Sequence, residues 1–560
     1  MAARTEGIDT IDPDHNLPPA NFDPSAARTI MGHPPGLFLL FFVEMWERFS
    51  YYGMRALLVL YLIKGLNPNA DQGLFQKEII NPGRAWAEGD ANLLYGWYTG
   101  LAYLLPIVGG LIADKLLGTH RSMILGGIII ALGHIVLAVS GIGSWANSDM
   151  GLAIFVAGLA LIILGTGYFK PTVSVMVGQL YKPGDPRRDG AFSIFYMGIN
   201  LGAFLSAFVC GTLGQQVGWH WGFGSAAVGM IAGLVMYTLG KPYFLKNIGS
   251  PPPEKPNATI PFLIGSLLLS VLVGYIFLVG GFGWIARSVH TIAQQKALAT
   301  AIVIAGLALI LGLSAWFVAI QGPGDKGPTA SILLFMLFNA FFWLAFEQAG
   351  STLNVFAENN TDRHIGSWEM PATWFQSYNA GFIILFAPIF AWVWIALGKR
   401  RMNPSQPMKI ALGLIFLGLG FIVMVVGAKR SYDLGQLGQS ILVTPMILTL
   451  TYFLHTLGEL CLSPTGLSYV TKAAPLRFVS FLMGLWFISS FIANLGGGLI
   501  ASQVEAIDRG EIQLPWQKMG HSLGGRADYF MLFVITSLGA GVIVLAFVPL
   551  LKKLMRNLND

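Results

Sequence analysis

The sequence predicts an all-α integral membrane protein of fourteen transmembrane helices, arranged as two six-helix bundles with two extra helices between them. Three observations predict it. Only 11% of the 560 residues are charged and 54% are hydrophobic, with a mean hydropathy of +0.63, whereas a soluble domain carries roughly 25% charged residues. Apolar runs of the ~18 residues needed to cross a bilayer recur along the whole chain. Two breaks rich in proline and glycine, Lys246 to Pro256 and Gly322 to Pro328, divide those runs into groups of six, two and six.

Residues 1–33 hold Asp9, Asp12, Asp14 and Asp23 and no apolar stretch, so they read as a cytoplasmic tail and not as a signal peptide. The first bundle, 34–245, contains runs near 36–63, 91–117, 122–143, 150–180, 190–215 and 221–240. A linker with the extra pair follows over 246–325, its runs near 260–281 and 297–320. Their only charges near membrane depth, Arg287 and Lys296, lie in the connecting loop, so the pair is expected at the periphery, outside the chemistry. The second bundle, 326–555, has runs near 328–357, 371–398, 408–428, 440–472, 476–503 and 527–551, and 556–560 form a cytoplasmic C-terminus.

An even number of crossings puts both termini on one side. The loops on that side are the more basic, Lys399-Arg400-Arg401 and Lys552-Lys553 most clearly, and the positive-inside rule makes that side the cytoplasm. The net charge of +6 is therefore topological and carries no nucleic-acid signature. Cys210 and Cys461 both fall inside apolar runs, which leaves no disulfide framework or zinc spacing. From hydropathy alone, an unrelated bundle of fourteen helices is the alternative.

The first run carries charge that anchoring does not explain. Glu44, Glu47, Arg48, Tyr51, Tyr52 and Arg55 recur at helical spacing, within roughly 140° of one face. A charge at the bilayer centre costs at least ~2.5 kcal/mol, so this stripe must face the bundle interior or an aqueous cavity. An ion-pair knot that locks the helix to its neighbours is the competing reading. Lys170, Glu347 and Glu459 are further lone ionisable groups deep in apolar runs, where function is the default reading. As a helix, Glu347 shares a face with Asn339, Trp343 and Ser351.

The loop after the second run, Gly109-Gly110-Leu111-Ile112-Ala113-Asp114-Lys115 through Arg121, resembles the cytoplasmic loop motif of the major facilitator superfamily, whose two six-helix halves hold substrate near the midplane. With the Glu44 to Arg55 stretch the resemblance narrows to the proton-dependent oligopeptide transporter family (POT or PTR). Gly165 to Pro171, Phe192 to Phe204, Phe346 to Leu353 and Gly458 to Ser468 resemble the same family, so the likeness spans nearly the whole chain. An extra helix pair between the halves is what its bacterial members look like.

The resemblance implies a proton-coupled symporter importing di- and tripeptides by alternating access, not an enzyme, with no cofactor or metal and with the proton gradient as its drive. A peptide is a zwitterion, so its site needs a cation, an anion and tolerant walls. Arg48 offers a planar fork for the carboxylate and Lys170 a second positive charge, while Glu347 is suited to the amine. By the same resemblance Tyr51, Tyr52, Arg55, Tyr103, Asn200, Asn379, Glu459 and Ser463 line the site, with Trp343, Trp374 and Trp486 as aromatic walls. Proton coupling falls to Glu44, Glu47, Arg48, Lys170 and Glu459, because the second run lacks the histidine some relatives carry; His455 is a weaker substitute. Lys170 and Glu459 are expected to pair when the cytoplasmic end of the cavity is shut. Partners are peptides, protons and the lipid bilayer, without nucleic acid, for a chain acting as a monomer in the cell membrane, the inner membrane if the source is Gram-negative. Transport of nitrate or another small anion, or a non-transporting receptor or intramembrane enzyme, are the alternatives. No nucleophile pair, metal cluster or phosphate loop supports the enzyme.

Overall fold

The computed structural model describes residues 29–65, 81–182, 184–250, 257–475 and 478–555, without the side chains of 189, 463–468, 471–472 and 480. Most of the expected N-terminal tail, the Pro251 to Pro253 linker, the Ser463 side chain and 556–560 lie outside the described residues.

The described chain is almost entirely helical. In order come α1 (Pro35–Ile63), α2 (Glu88–Ile112), α3 (Thr119–Val139), α4 (Asp149–Gln179), α5 (Arg187–Ser206) and α6 (Trp219–Phe244). Next are α7 (Thr259–Leu278), α8 (Gly281–Gln294) and α9 (Lys296–Ala319). The rest comprises α10 (Lys326–Phe346), α11 (Thr352–Asn360), α12 (Trp374–Lys399), α13 (Gln406–Gln436), α14 (Met446–Ala473), α15 (Val479–Ala501), the short α16 (Val504–Asp508) and α17 (Pro515–Lys518), and α18 (Arg526–Met555). A two-residue hairpin pairs His364–Ile365 with Trp368–Glu369.

Twelve of the described helices are long and apolar enough to cross a membrane. The expected first and twelfth spans stand outside that set. The 29-residue α1 carries Glu44, Glu47, Arg48 and Arg55 along its length, and α14 contributes a shorter apolar stretch, Met446–Leu462. Two expectations are corrected. The connection between α7 and α9 is not a loop but the 14-residue helix α8. The run expected at 328–357 is not one helix either, because it tightens into a 3-10 turn over Glu347–Gly350 before resuming as α11.

Packing sorts the helices into two groups. In the first, α1 packs on α5 and α6, α3 on α4 and α6, and α2 on α4. In the second, α13 packs on α14 and α18, and α10 on α15, α18 and α14. Glycine sets the closest approach within the first group: a Cβ on Gly109 would lie 1.9 Å from the carbonyl oxygen of Gly167, so the glycine loop motif and the Gly165 to Pro171 stretch are two sides of one α2–α4 contact.

The groups meet along α2–α15, α5–α12 and α1–α11. Where α2 crosses α15, a Cβ on Gly96 would lie 2.7 Å from the Cα of Gly498. Asn92 Nδ2 donates to the carbonyl of Ala501 (3.2 Å) and Asn354 Nδ2 to that of Ala56 (2.8 Å). Lys64 reaches Glu358 at 3.4 Å, Gln215 donates to the same carboxylate at 3.0 Å, and Arg526 joins Glu88 to Asp508. Burial pushes the Asp508 carboxyl up to about 6, and the Arg526 guanidinium opposes that rise. All these contacts lie toward the C-terminal end of α1, so the seam between the groups is shut on that side.

Candidate functional site

Between the groups, a cavity of about 170 Å³ is walled by α1, α2 and α5 on one side and by α10, α12 and α14 on the other. From the expected set, Tyr52, Arg55, Tyr103, Asn200, Trp343, Glu347, Asn379 and Glu459 line it. The polar face of α1 thus meets the cavity through its later part. Glu44, Glu47 and Arg48, one to three turns earlier, are buried at 5%, 1% and 5% exposure and lie outside the lining.

Arg55 is the hub of the cavity's closed end, beneath the shut seam. Its Nη2 lies 2.6 Å from Glu347 Oε2, an ion contact whose N–H is not aligned as a hydrogen bond, and its Nε donates to the Tyr95 hydroxyl at 2.6 Å. The guanidinium also sits 5.7 Å from the Tyr52 ring centroid. Glu347, expected as an open amine partner, is therefore already engaged across the two groups. The face proposed for it is also corrected. Trp343 does donate to Asn339 (3.1 Å), but the 3-10 turn takes Ser351 off the line, and its hydroxyl bonds the Gln348 carbonyl.

Among the described residues, Glu459 meets neutral donors only. Asn379 Nδ2 donates to its Oε2 at 2.9 Å and to Thr456 Oγ1 at 3.1 Å, while the Tyr196 hydroxyl lies 3.5 Å from Oε1. Lys170 does not reach it in this state. Its Nζ stands 3.7 Å from the Tyr103 ring centroid, a cation–π contact, and no carboxylate among the described residues lies within ion-pair distance. Asn200 spends its amide on the Tyr196 carbonyl one turn back, at 2.9 Å.

The early part of α1 forms a compact charge cluster. Arg48 Nε contacts Glu44 Oε1 at 3.1 Å and also Glu47, and its guanidinium covers the Tyr51 ring at 5.2 Å. Arg48 Nη2 and Glu47 Oε1 are buried without hydrogen-bond partners among the described residues. Tyr51 turns to stack on Tyr98 at 6.3 Å and does not line the cavity. Trp374 and Trp486, expected as walls, do not line it either: Trp374 donates to Thr212 (2.9 Å) at the α5–α12 seam, and Trp486 is half-buried in the core. His455 packs between the Phe346 and Phe421 rings, away from the lining.

Sequence reasoning missed Tyr95, Tyr452 and Gln376. A tyrosine in an apolar helix reads as packing until its partner is known, and the partner here, Arg55, is on another helix. Tyr196 was within reach, since it lies in the Phe192 to Phe204 stretch.

The profile of the POT family matches residues 120–516. Peptide transporter YePEPT of Yersinia enterocolitica is 36% identical over 491 residues, covering 86% of this chain and 89% of that protein. A di-/tripeptide transporter of Lactococcus lactis subsp. cremoris is 36% identical over 471 residues, 82% of this chain and 88% of its own. Among solved structures, a peptide transporter POT in complex with sulfate is similar with a TM-score of 0.73 at 36% identity, covering 97% of this chain and 98% of that one. A mutant peptide transporter POT in complex with alafosfalin has a TM-score of 0.72 at 35% identity, with the same coverage. With the family profile spanning most of the chain, and relatives and structures agreeing along nearly all of it, this chain belongs to the POT family and has a major facilitator type of fold.

Proposed function

We propose that the chain is a proton-coupled symporter that imports di- and tripeptides by alternating access. One observation carries the reading. Around a single cavity the first helix group presents a cation, Arg55, with Lys170 outside the lining against the ring of the wall residue Tyr103, and the second presents the carboxylates, Glu347 and Glu459. A zwitterion with its charges a peptide bond or two apart bridges such walls, and a ligand held by both groups couples their closure to its own binding. The amine displaces Asn379 from Glu459, and the carboxylate is met by Lys170 or by an Arg55 released from Glu347. Neutral Tyr52, Tyr103 and Trp343 surfaces beside these charges select side chains by bulk. The names of the relatives agree: those from Yersinia and Lactococcus are a peptide and a di-/tripeptide transporter.

Protons act through the same pairs. A protonated Glu347 no longer holds Arg55, which loosens a link between the groups just below the closed seam. Glu44 and Glu47 share Arg48, so one of them can take up a proton while the other keeps the guanidinium paired. The bundle boundaries at 245 and 326, cytoplasmic termini, a cell-membrane location, the inner membrane in a Gram-negative source, and action as a monomer complete the proposal. In that orientation the shut side faces outward and Lys170 is poised to meet Glu459 when the inner end closes. Uptake of labelled dialanine into proteoliposomes tests the whole. An inward proton gradient should drive accumulation that trialanine inhibits and nitrate or free alanine does not; accumulation insensitive to the gradient, or blocked by nitrate, would refute it.

A further inference from the structure

The helices α7 to α9 are not absorbed by the cavity, yet they touch both helix groups. Along its length α7 is fixed to the first group: a Cβ on Gly274 would lie 2.8 Å from the carbonyl oxygen of Ala153, and Tyr168 and Ser266 bring their hydroxyls to 3.4 Å. The turn from α7 into α8 holds the chain leading into α2, because Phe277 and Phe282 stack on Trp86 with centroids 6.0 and 5.4 Å away. The other end is fixed to the second group. Phe317 of α9 packs on Phe478 and Phe481 at the start of α15, at 5.2 and 5.1 Å.

Helix α8 joins the end of α7 to the start of α9 over the shut side of the seam, a whole helix length from the Phe317 anchor. There His290 makes two bonds with opposite allegiance. Its Nε2 lies 3.1 Å from Asp90 Oδ1 in the first turn of α2, and its Nδ1 lies 3.5 Å from Gln503 Nε2, just beyond α15. A neutral imidazole satisfies both, donating to the carboxylate from Nε2 and accepting from the amide at Nδ1. The seam passes directly beneath: a Cβ on Gly89 would lie 2.4 Å from the Ser502 carbonyl oxygen and 3.4 Å from the His290 ring. Separating α2 from α15 therefore breaks one of the His290 bonds, since α7 holds α8 to the first group.

We infer that the inserted helices are a strap across the outer seam, fastened at His290 to Asp90 and Gln503, which biases the carrier toward its outward-closed state. The inference rests on the alternating-access reading given above. Losing the fastening should shift the closed-to-open ratio several-fold, the size expected for one or two ordinary hydrogen bonds.

Pulsed electron paramagnetic resonance on the full chain tests it, with spin labels on cysteines at the exposed positions Ser144 and Gln439, on the shut side of the first and second groups; the native Cys210 and Cys461 are buried. In proteoliposomes, His290→Ala and Gln503→Ala should each enlarge the long-distance population roughly three- to tenfold over the unsubstituted background, while Arg287→Ala on the same helix leaves it unchanged. Distance distributions for the His290→Ala and Gln503→Ala proteins that superimpose on the background, with melting temperatures intact, would overturn the strap. Failure of the transport reading looks different: dialanine is not accumulated by the wild type in the same vesicles, whatever the distances do.

Discussion

Arg55 and Glu347 sit 2.6 Å apart across the two helix groups, with side chains only 8% and 6% exposed, at the top of the cavity and beneath the shut seam. A buried pair of this kind is a poor source of stability, because both charges were taken from water, but it is costly to halve. Arg55→Ala should leave Glu347 uncompensated and destabilise the protein by about 3–5 kcal/mol, whereas Arg55→Ala with Glu347→Ala restores much of that loss. Thermal melts in detergent check this. A double variant no more stable than the single one would show that the contact at 2.6 Å carries little energy.

Glu459 differs from Glu347 in having, among the described residues, no cation within ion-pair distance and only Asn379 and Tyr196 as donors. It is the carboxylate open to an incoming amine. Glu459→Gln should raise the dissociation constant of dialanine at least tenfold and leave that of N-acetylated dialanine nearly unaffected, since only the free amine loses a charge-assisted bond. Equal losses for both ligands, measured by calorimetry or competition, would remove Glu459 from the amine site.

How far the sequence could be read depended on whether a signal was local. Membrane helices were legible because hydropathy is a property of one segment, and α1 because its charges are too expensive to be accidental. The break at Glu347–Gly350 was not, for nothing in Phe346-Glu347-Gln348-Ala349-Gly350 forbids a helix. Its cause is tertiary: Gln348 donates to the Gly497 carbonyl of α15 at 3.2 Å and accepts from Tyr529 of α18 at 2.8 Å. The same holds for Arg55, legible as a buried cation but not as the partner of Glu347. Connecting α8 was misread as a loop because its 14 residues are too short and polar to register as a span.

His290 gives a pH dependence with a definite sign. Its hydrogen bond to Asp90, together with that carboxylate's charge and the charge of Glu505, holds the imidazole above its ordinary value against partial burial; Gln503 faces its other nitrogen, and Arg287 is the cation on its own helix. A group raised on folding stabilises the fold fully below its unfolded value and loses that contribution as pH rises through the raised one. The melting temperature of wild type should therefore exceed that of His290→Gln more at pH 5.5 than at pH 8.5, both within roughly two units of the free histidine value of ~6.5. A gap that is constant or widens toward alkaline pH would contradict the assignment.

The cluster of Glu44, Glu47 and Arg48 separates coupling from binding. Arg48 contacts both carboxylates, yet none of the three lines the cavity, so substrate need not touch them for a proton to be exchanged there. Glutamine at either glutamate mimics a permanently protonated acid and leaves Arg48 one charged partner. Such a carrier can still exchange peptide for peptide, since exchange needs no net proton movement, but it cannot accumulate peptide against a gradient. Glu47→Gln, and to a lesser degree Glu44→Gln, should thus lower gradient-driven uptake by an order of magnitude or more while keeping counterflow, the scale of losing one coupled proton at ~2.3 kcal/mol per 100 mV. Arg48→Ala is different in kind: it leaves two buried carboxylates without a cation, and should depress stability, counterflow and driven uptake together. If the cluster is only a lock between helices, Glu47→Gln will behave like Arg48→Ala. Counterflow and driven uptake measured on one folded preparation of each variant decide between the two, and a parallel loss of both in stable Glu47→Gln protein removes the cluster from the proton path.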